Sequence, residues 1–199
     1  MNGPNSLIHS VLMVEQLLST GGGWQDTLGG LVGGLKLGFS DAQIIPLVTK
    51  VQHYDLSPET IKELNQRIVL TFSGKPRLAK NVLQNVLRRW ASRTDEIVDS
   101  LTELVEGASK VIECLQSGDI ERLAYLMSNY WELKKTMAGR RDSGVNPLSI
   151  QTVLDVLHGA KSIVGHTVCG AGGGGFIALV TTKHVTKQVF LRLFFIIKP

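Results

Sequence analysis

Cysteine is scarce: two residues in 199, Cys114 and Cys169. They have neither the spacing of a metal site nor the number for a disulfide framework, and a reducing cytosol suits them. Long apolar runs are missing. The stretch from Val189 to Ile197 is short and carries Arg192, well under the roughly 18 residues a membrane span needs. No basic region opens the chain, and His9 and Glu15 interrupt its first apolar stretch, so no secretory signal is read there. No Walker A sequence occurs, which excludes a P-loop nucleotide hydrolase. Charged residues are 19% against 43% hydrophobic, a balance that excludes disorder and supplies a core. The 21 basic and 17 acidic residues are scattered, which argues against a nucleic-acid surface. These absences leave a folded cytoplasmic protein without membrane or nucleic-acid partners and without a metal centre built from its own side chains.

Glycine, by contrast, is plentiful, with 21 residues. The first run opens the stretch Ser19-Thr20-Gly21-Gly22-Gly23-Trp24-Gln25-Asp26-Thr27. Consecutive glycines let backbone approach a ligand closely. Trp24 offers an apolar face, Gln25 hydrogen bonds and Asp26 a proton acceptor, the chemistry of a sugar site. The alternative is a glycine-rich hairpin with Asp26 merely solvated. A helix over Leu7 to Leu18, apolar at helical spacing, should stop at the glycine run. Asp26 is then expected in a loop just past a helix C-terminus, without support from the helix dipole.

Further along, Leu31, Leu35, Leu37 and Phe39 alternate within glycine-punctuated sequence, predicting short strands across 28–54. Ser57-Pro58-Glu59 predicts a capped helix start, and Ile68 to Phe72 a buried strand. Lys75-Pro76-Arg77 leads into a helix with Leu78, Val82, Val86 and Trp90 inside. Lys75 and Arg77 read either as a solvated helix entrance or as a basic pair facing sugar or phosphate oxygens. A scaffold helix follows, with a stripe from Ile97 through Val105, Ala108 and Ile112 to Leu115. Gly118-Asp119 breaks it, and Ile120, Leu123, Leu126, Tyr130 and Leu133 line the next helix, with Trp131 in the core. Lys134 and Lys135 stand near its end, where the dipole alone accounts for cations. A loop over 137–148 and a helix around Ile150, Val153, Leu154 and Leu157 complete this part.

The second glycine run, Gly170-Ala171-Gly172-Gly173-Gly174-Gly175-Phe176, satisfies G-x-G-x-x-G. A strand follows it at Phe176 to Val180 where a dinucleotide site needs a helix, so a Rossmann reading is excluded.

The Gly-Gly-Gly-Trp-Gln-Asp stretch resembles a signature of the sugar-kinase branch of the GHMP kinase superfamily, within it the L-fucose kinases. The run from Gly170 to Phe176 resembles the glycine-rich third motif of that superfamily. Phe72 to Ala79 and Tyr130 to Met137 are similar to segments of the fucokinase and heptose-kinase branch. All four lie in the family's order between about Leu7 and Thr182. The resemblance implies an α+β fold, with residues 1–56 the end of a GHMP N-terminal domain of the ribosomal S5 domain 2-like type. Residues 57–182 are then a ferredoxin-like C-terminal domain, and 183–199 a divergent tail.

The implied activity is ATP-dependent phosphorylation of L-fucose at its anomeric hydroxyl, with Mg²⁺. Carried over residue by residue, Asp26 and Arg77 are catalytic, and Gly22, Gly23, Trp24 and Gln25 bind sugar. Lys75, Gly170, Gly172, Gly173 and Gly174 meet the nucleotide phosphates. Thr27 departs from the family, which usually has glutamine there. The family's Pro-x-x-x-Gly-Leu-Gly-Ser-Ser phosphate loop, which lies upstream of this stretch, is not found. An N-terminally truncated kinase is therefore expected, with the remaining N-terminal part of the same enzyme as a partner. A non-catalytic interaction fragment and a heptose-phosphate kinase relative are the alternatives.

Overall fold

In a computed structural model, residues 4–18, 22–41, 48–75, 80–139, 145–185, 187, 188 and 190 are described. The chain divides into two compact units, Met1–Asp55 and Leu56–Pro199.

The first unit holds helix α1 (Pro4–Leu17), helix α2 (Trp24–Leu31) and a hairpin of strands β1 (Lys36–Ser40) and β2 (Thr49–His53). The strands pair antiparallel from Lys36↔His53 to Ser40↔Thr49. The helix predicted over Leu7 to Leu18 is present. Two strands lie within the 28–54 stretch where short strands are expected, but Leu28 to Leu31 instead close a helix that begins at Trp24. Leu28 is buried and sits beside Trp24 against Gly38 of β1, so packing on the hairpin outweighs the two helix-weakening glycines, Gly29 and Gly30.

The second unit is built on a three-stranded antiparallel sheet in the order β3 (Ile68–Phe72), β5 (Phe176–Thr181), β4 (Ile163–Val168). Register runs from Ile68↔Val180 to Phe72↔Phe176 on one side of β5. On the other side it runs from Ile163↔Thr181 to Val168↔Ile177, with an irregularity between Ile163 and Gly165. Helices α3 (Pro58–Arg67), α4 (Lys80–Ala91), α5 (Asp95–Ser117), α6 (Ile120–Ala138) and α7 (Leu148–Gly159) accompany it. Val69, Val82, Trp131, Ile150, Leu154, Ile177 and Leu179 share one buried core.

Local chemistry explains the element ends. Ser57 caps α3, its Oγ accepting from Thr60 N at 3.1 Å, with Pro58 at the first helical position. Gly118 takes the left-handed conformation that stops α5 (φ 72°), and Asp119 Oδ1 accepts from Arg122 N to start α6. Buried Arg67 joins three elements: its Nε donates to Thr181 O at 2.9 Å, Nη1 to Glu63 and Nη2 to Glu121. Helix α6 lies directly on β4, since a Cβ on Gly165 would collide with the Ala124 backbone.

Two expectations need correction, and one strand lies outside them. The strand at Ile68 to Phe72 is not buried throughout: it is an edge strand, and Leu70 and Phe72 face outward. Val105 and Ala108 lie outside the buried stripe of α5, which keeps the expected Ile97, Ile112 and Leu115 and adds Ser100 and Cys114. Strand β4 was not anticipated, although Ile163, Val164, Thr167 and Val168 are β-branched residues that favour it.

Candidate functional site

In the first unit the described part of the glycine run, Gly22 and Gly23, leads directly into helix α2. Gln16 on α1 donates through Nε2 to Gly22 O at 3.0 Å. Gly23 is the N-cap of α2, with extended backbone (φ −89°, ψ 178°) and no side chain to cap with. Trp24, Gln25 and Asp26 therefore form the first turn of a helix, and Asp26 is its acidic residue. This reverses the expected placement of Asp26 past a helix C-terminus. The helix N-terminus favours a negative charge there. The Asp26 carboxylate is exposed and makes no ion pair among the described residues.

Trp24 is half-buried, its ring edge beside Gly38, where a Cβ would stand 3.0 Å from Cζ3. The Gln25 side chain folds back over Gly23. The neighbouring Thr27 is buried, and its hydroxyl finds no hydrogen-bond partner among the described residues.

In the second unit the β4–β5 connection is the glycine turn. Cys169 N donates to Phe176 O at 2.8 Å and closes its base. Gly170, Gly172, Gly173 and Gly175 all have positive φ, from 64° to 84°, so the turn has a shape that other residues adopt only with strain. Gly175 N donates to Lys75 O and Ser73 N to Gly175 O, each at 2.8 Å, which seats the segment after β3 beside the turn. Lys75 is exposed there. Gly22, Gly23, Trp24, Gln25 and Asp26 are thus brought together in the first unit. Lys75, Gly170, Gly172, Gly173 and Gly174 are brought together in the second. Arg77 lies outside the described residues.

Three residues to which the sequence assigned no role at the turn shape it. Val145 O accepts from Gly173 N. Trp131, fully buried, lies under Gly172, whose Cβ would stand 3.0 Å from Trp131 Cη2. Lys134 Nζ donates to Val168 O at 3.1 Å and to Gly170 O. The spacing of three between Trp131 and Lys134 was the available signal, because it stacks both side chains on one helix face. Lys135 instead pairs with Glu132 at 2.6 Å, away from these carbonyls.

Among the described residues no group of three or more His, Cys, Asp or Glu side chains is placed to hold a metal ion. No described helix is long and apolar enough to cross a membrane.

No family model matches the chain. It is 35% identical over 184 residues to a bifunctional fucokinase/GDP-fucose pyrophosphorylase of Arabidopsis thaliana, covering 92% of this chain and 16% of that protein. It is 30% identical over 181 residues to an L-fucokinase/L-fucose-1-P guanylyltransferase of Bacteroides fragilis, covering 88% of this chain and 18% of that one. The chain thus spans less than a fifth of the length of these relatives. Among solved structures, the mevalonate kinase of L. major in complex with R-mevalonate superposes with a TM-score of 0.64 at 16% identity, over 85% of this chain and 47% of that one. The chain has the fold of the GHMP kinases and over most of its length is similar in sequence to these two fucokinase relatives.

Proposed function

We propose that this chain of GHMP-kinase fold is part of an ATP-dependent sugar kinase that converts L-fucose to L-fucose 1-phosphate. One observation carries the reading: an exposed Asp26 in the first turn of the helix that Gly23 opens. That helix lies in a chain 35% identical to a protein named a fucokinase. In this reading residues 1–56 finish the N-terminal domain, residues 57–182 make the C-terminal domain and residues 183–199 are a tail. The upstream remainder of the same enzyme completes the site, and the enzyme works in the cytoplasm.

Asp26 orients the anomeric hydroxyl of L-fucose and takes its proton as the oxygen attacks the γ-phosphorus of ATP. The bond from that phosphorus to the β–γ bridging oxygen breaks, and ADP leaves. The Trp24 face and the Gln25 amide shape the sugar pocket, with Gly22 and Gly23 admitting the sugar close to backbone. The Gly170–Gly175 turn suits a phosphate-bearing ligand, because backbone alone lines it at Gly170, Gly172, Gly173 and Gly174 and the cation of Lys75 stands beside it. Arg77 is the second catalytic candidate of this reading, because a guanidinium can hold carboxylate or phosphate oxygens with paired donors. Mg²⁺, when bound with the nucleotide, would supply neutralisation of phosphate charge. Without a cluster of protein ligands among the described residues, it would arrive with the nucleotide, as magnesium usually does in kinases.

The test is Asp26→Asn in the complete enzyme. The expected result is a collapse of kcat with little change in ATP affinity; near-normal turnover would remove Asp26 from catalysis. Calorimetric titration of this chain with Mg·ATP supplies the second arm. Absence of heat at millimolar nucleotide would favour a non-catalytic interaction fragment. Phosphorylation of a heptose phosphate in preference to L-fucose would reassign the sugar.

A further inference from the structure

We propose that Lys134 is a positioning residue for the Gly170–Gly175 turn, its ammonium group fixing the shape in which the turn meets nucleotide phosphates. The ligand in this statement rests on the kinase reading above; the positioning does not. Lys134 Nζ reaches across from α6 to two carbonyl oxygens of one chain segment, Val168 O at the end of β4 and Gly170 O in the turn. Its charge lies 5.0 Å from the Tyr130 ring centre and 5.6 Å from that of Trp131. Both separations are within the range of favourable cation–ring attraction.

One cation therefore draws two carbonyl dipoles toward the helix. A glycine-rich turn has many accessible peptide orientations, and carbonyl oxygens pointing outward would repel a phosphate. With both oxygens held by Lys134, outward rotation of those peptides loses charge-assisted bonds, which are about twice as strong as neutral ones. The turn is held from its other side as well: Gly173 N donates to Val145 O, and Trp131 lies under Gly172. Trp131 and Val145 are shape constraints. Lys134 is the electrostatic one.

The experiment compares the whole chain with its Lys134→Met and Lys134→Arg variants. Methionine keeps an unbranched stem beside Tyr130 and Trp131 but removes the charge and the donors. Arginine retains both. Amide shifts and exchange rates of Gly170 to Gly175 are read by NMR, with melting temperature alongside. Mg·ATP affinity is then read by calorimetry.

In Lys134→Met the turn amides should move and exchange about tenfold faster, while the melting temperature changes by only a few degrees and Mg·ATP binds about tenfold more weakly. Lys134→Arg should restore the turn amides and the affinity. Unchanged turn amides in Lys134→Met would overturn the proposal, as would turn amides that move no more than those of the rest of the fold. Turn amides that respond as expected in a chain that binds no Mg·ATP would uphold the positioning role and count against this turn as a nucleotide site in the chain alone. Should Lys134→Met fail to fold, Lys134→Gln, which keeps an amide donor, is read by the same turn amides with the same two outcomes.

Discussion

The Cη2 atom of Trp131 stands 3.0 Å from the place a Cβ on Gly172 would occupy, so the indole fills the space beneath the turn up to the backbone. Val145 closes the same space from another side, with its Cγ2 2.6 Å from that position and its carbonyl oxygen 3.0 Å away. The fully buried core tryptophan and the glycine turn are thus one structural unit, and the turn's shape is set by packing as well as by its φ angles.

Gly172→Ala follows from this contact. At φ 84° an alanine carries left-handed strain of about 1–2 kcal/mol, and the overpacked methyl adds about 1–3 kcal/mol. A loss of about 3 kcal/mol in unfolding free energy is expected by urea denaturation. Gly170→Ala is the control: φ is 64° but nothing lies within 4 Å of the added carbon, so strain alone applies, about 1–2 kcal/mol. Equal losses in the two variants would mean that Trp131 and Val145 yield to the methyl.

Arg67 is the one described arginine whose guanidinium is buried and shared by several elements, with side-chain exposure of 6%. Arg67→Met leaves Thr181 O without its donor and Glu63 and Glu121 without their cation. Removing one partner of a buried ion pair typically costs about 3–5 kcal/mol, and the half-exposed carboxylates reduce that here to about 2–3 kcal/mol. Thermal unfolding at low and high salt checks it. A deficit that persists at high salt marks the lost Thr181 bond as the larger part; one that vanishes marks surface attraction.

Stability of the second unit should fall with acid through one histidine. His166 Nδ1 lies 2.9 Å from His158 Nε2, so one ring donates to the other and the pair needs a neutral acceptor nitrogen. Burial, then repulsion from His158, hold the His166 pKa down to about 4 from its ordinary 6.5, against smaller opposing pulls from Glu132 and Asp155. A lowered histidine value means that the unfolded chain binds the proton first as pH drops. Unfolding free energy is therefore intact above 6.5 and declines between 6.5 and about 4, by about 2 kcal/mol after discounting for partial exposure. Urea unfolding at the two ends of that window measures the decline. His166→Gln should flatten it, and an unchanged slope would assign the proton uptake to other groups.

Much of this fold was legible because its signals are local. Ser57-Pro58, Gly118-Asp119 and the apolar spacing of Ile120, Leu123 and Trp131 each carry their cause within a few residues. The glycine turn before Phe176 was legible for the same reason. What failed depended on distant partners. Leu28 joins a helix because Gly38 on β1 leaves room for it and for Trp24. Leu70 faces outward because β3 ends the sheet, and edge position is a property of strand order. Lys134 was visible as a cation near a helix end, yet its carbonyl partners lie 34 and 36 residues away in sequence. Family resemblance supplied the roles proposed for Asp26 and Lys75, and the first-turn position of Asp26 came from the structure alone.

That position makes the Asp26→Asn test clean. A carboxylate in the first helical turn gains about 0.3–1 kcal/mol from the helix N-terminus when exposed. The side chain here caps nothing, since the N-cap is Gly23 and no side-chain cap bond forms. Asp26→Asn should therefore lower stability by less than about 1 kcal/mol, and unfolding measured beside the kinetics will register it. If the variant instead unfolds at markedly lower urea, Asp26 has a structural partner in the complete protein, and lost turnover would no longer argue for proton transfer. A small stability change together with lost turnover leaves the chemistry at the carboxylate as the explanation. Ionic strength separates the two contributions further, because salt screens the dipole term at an exposed helix end while a proton acceptor is still required at any salt concentration.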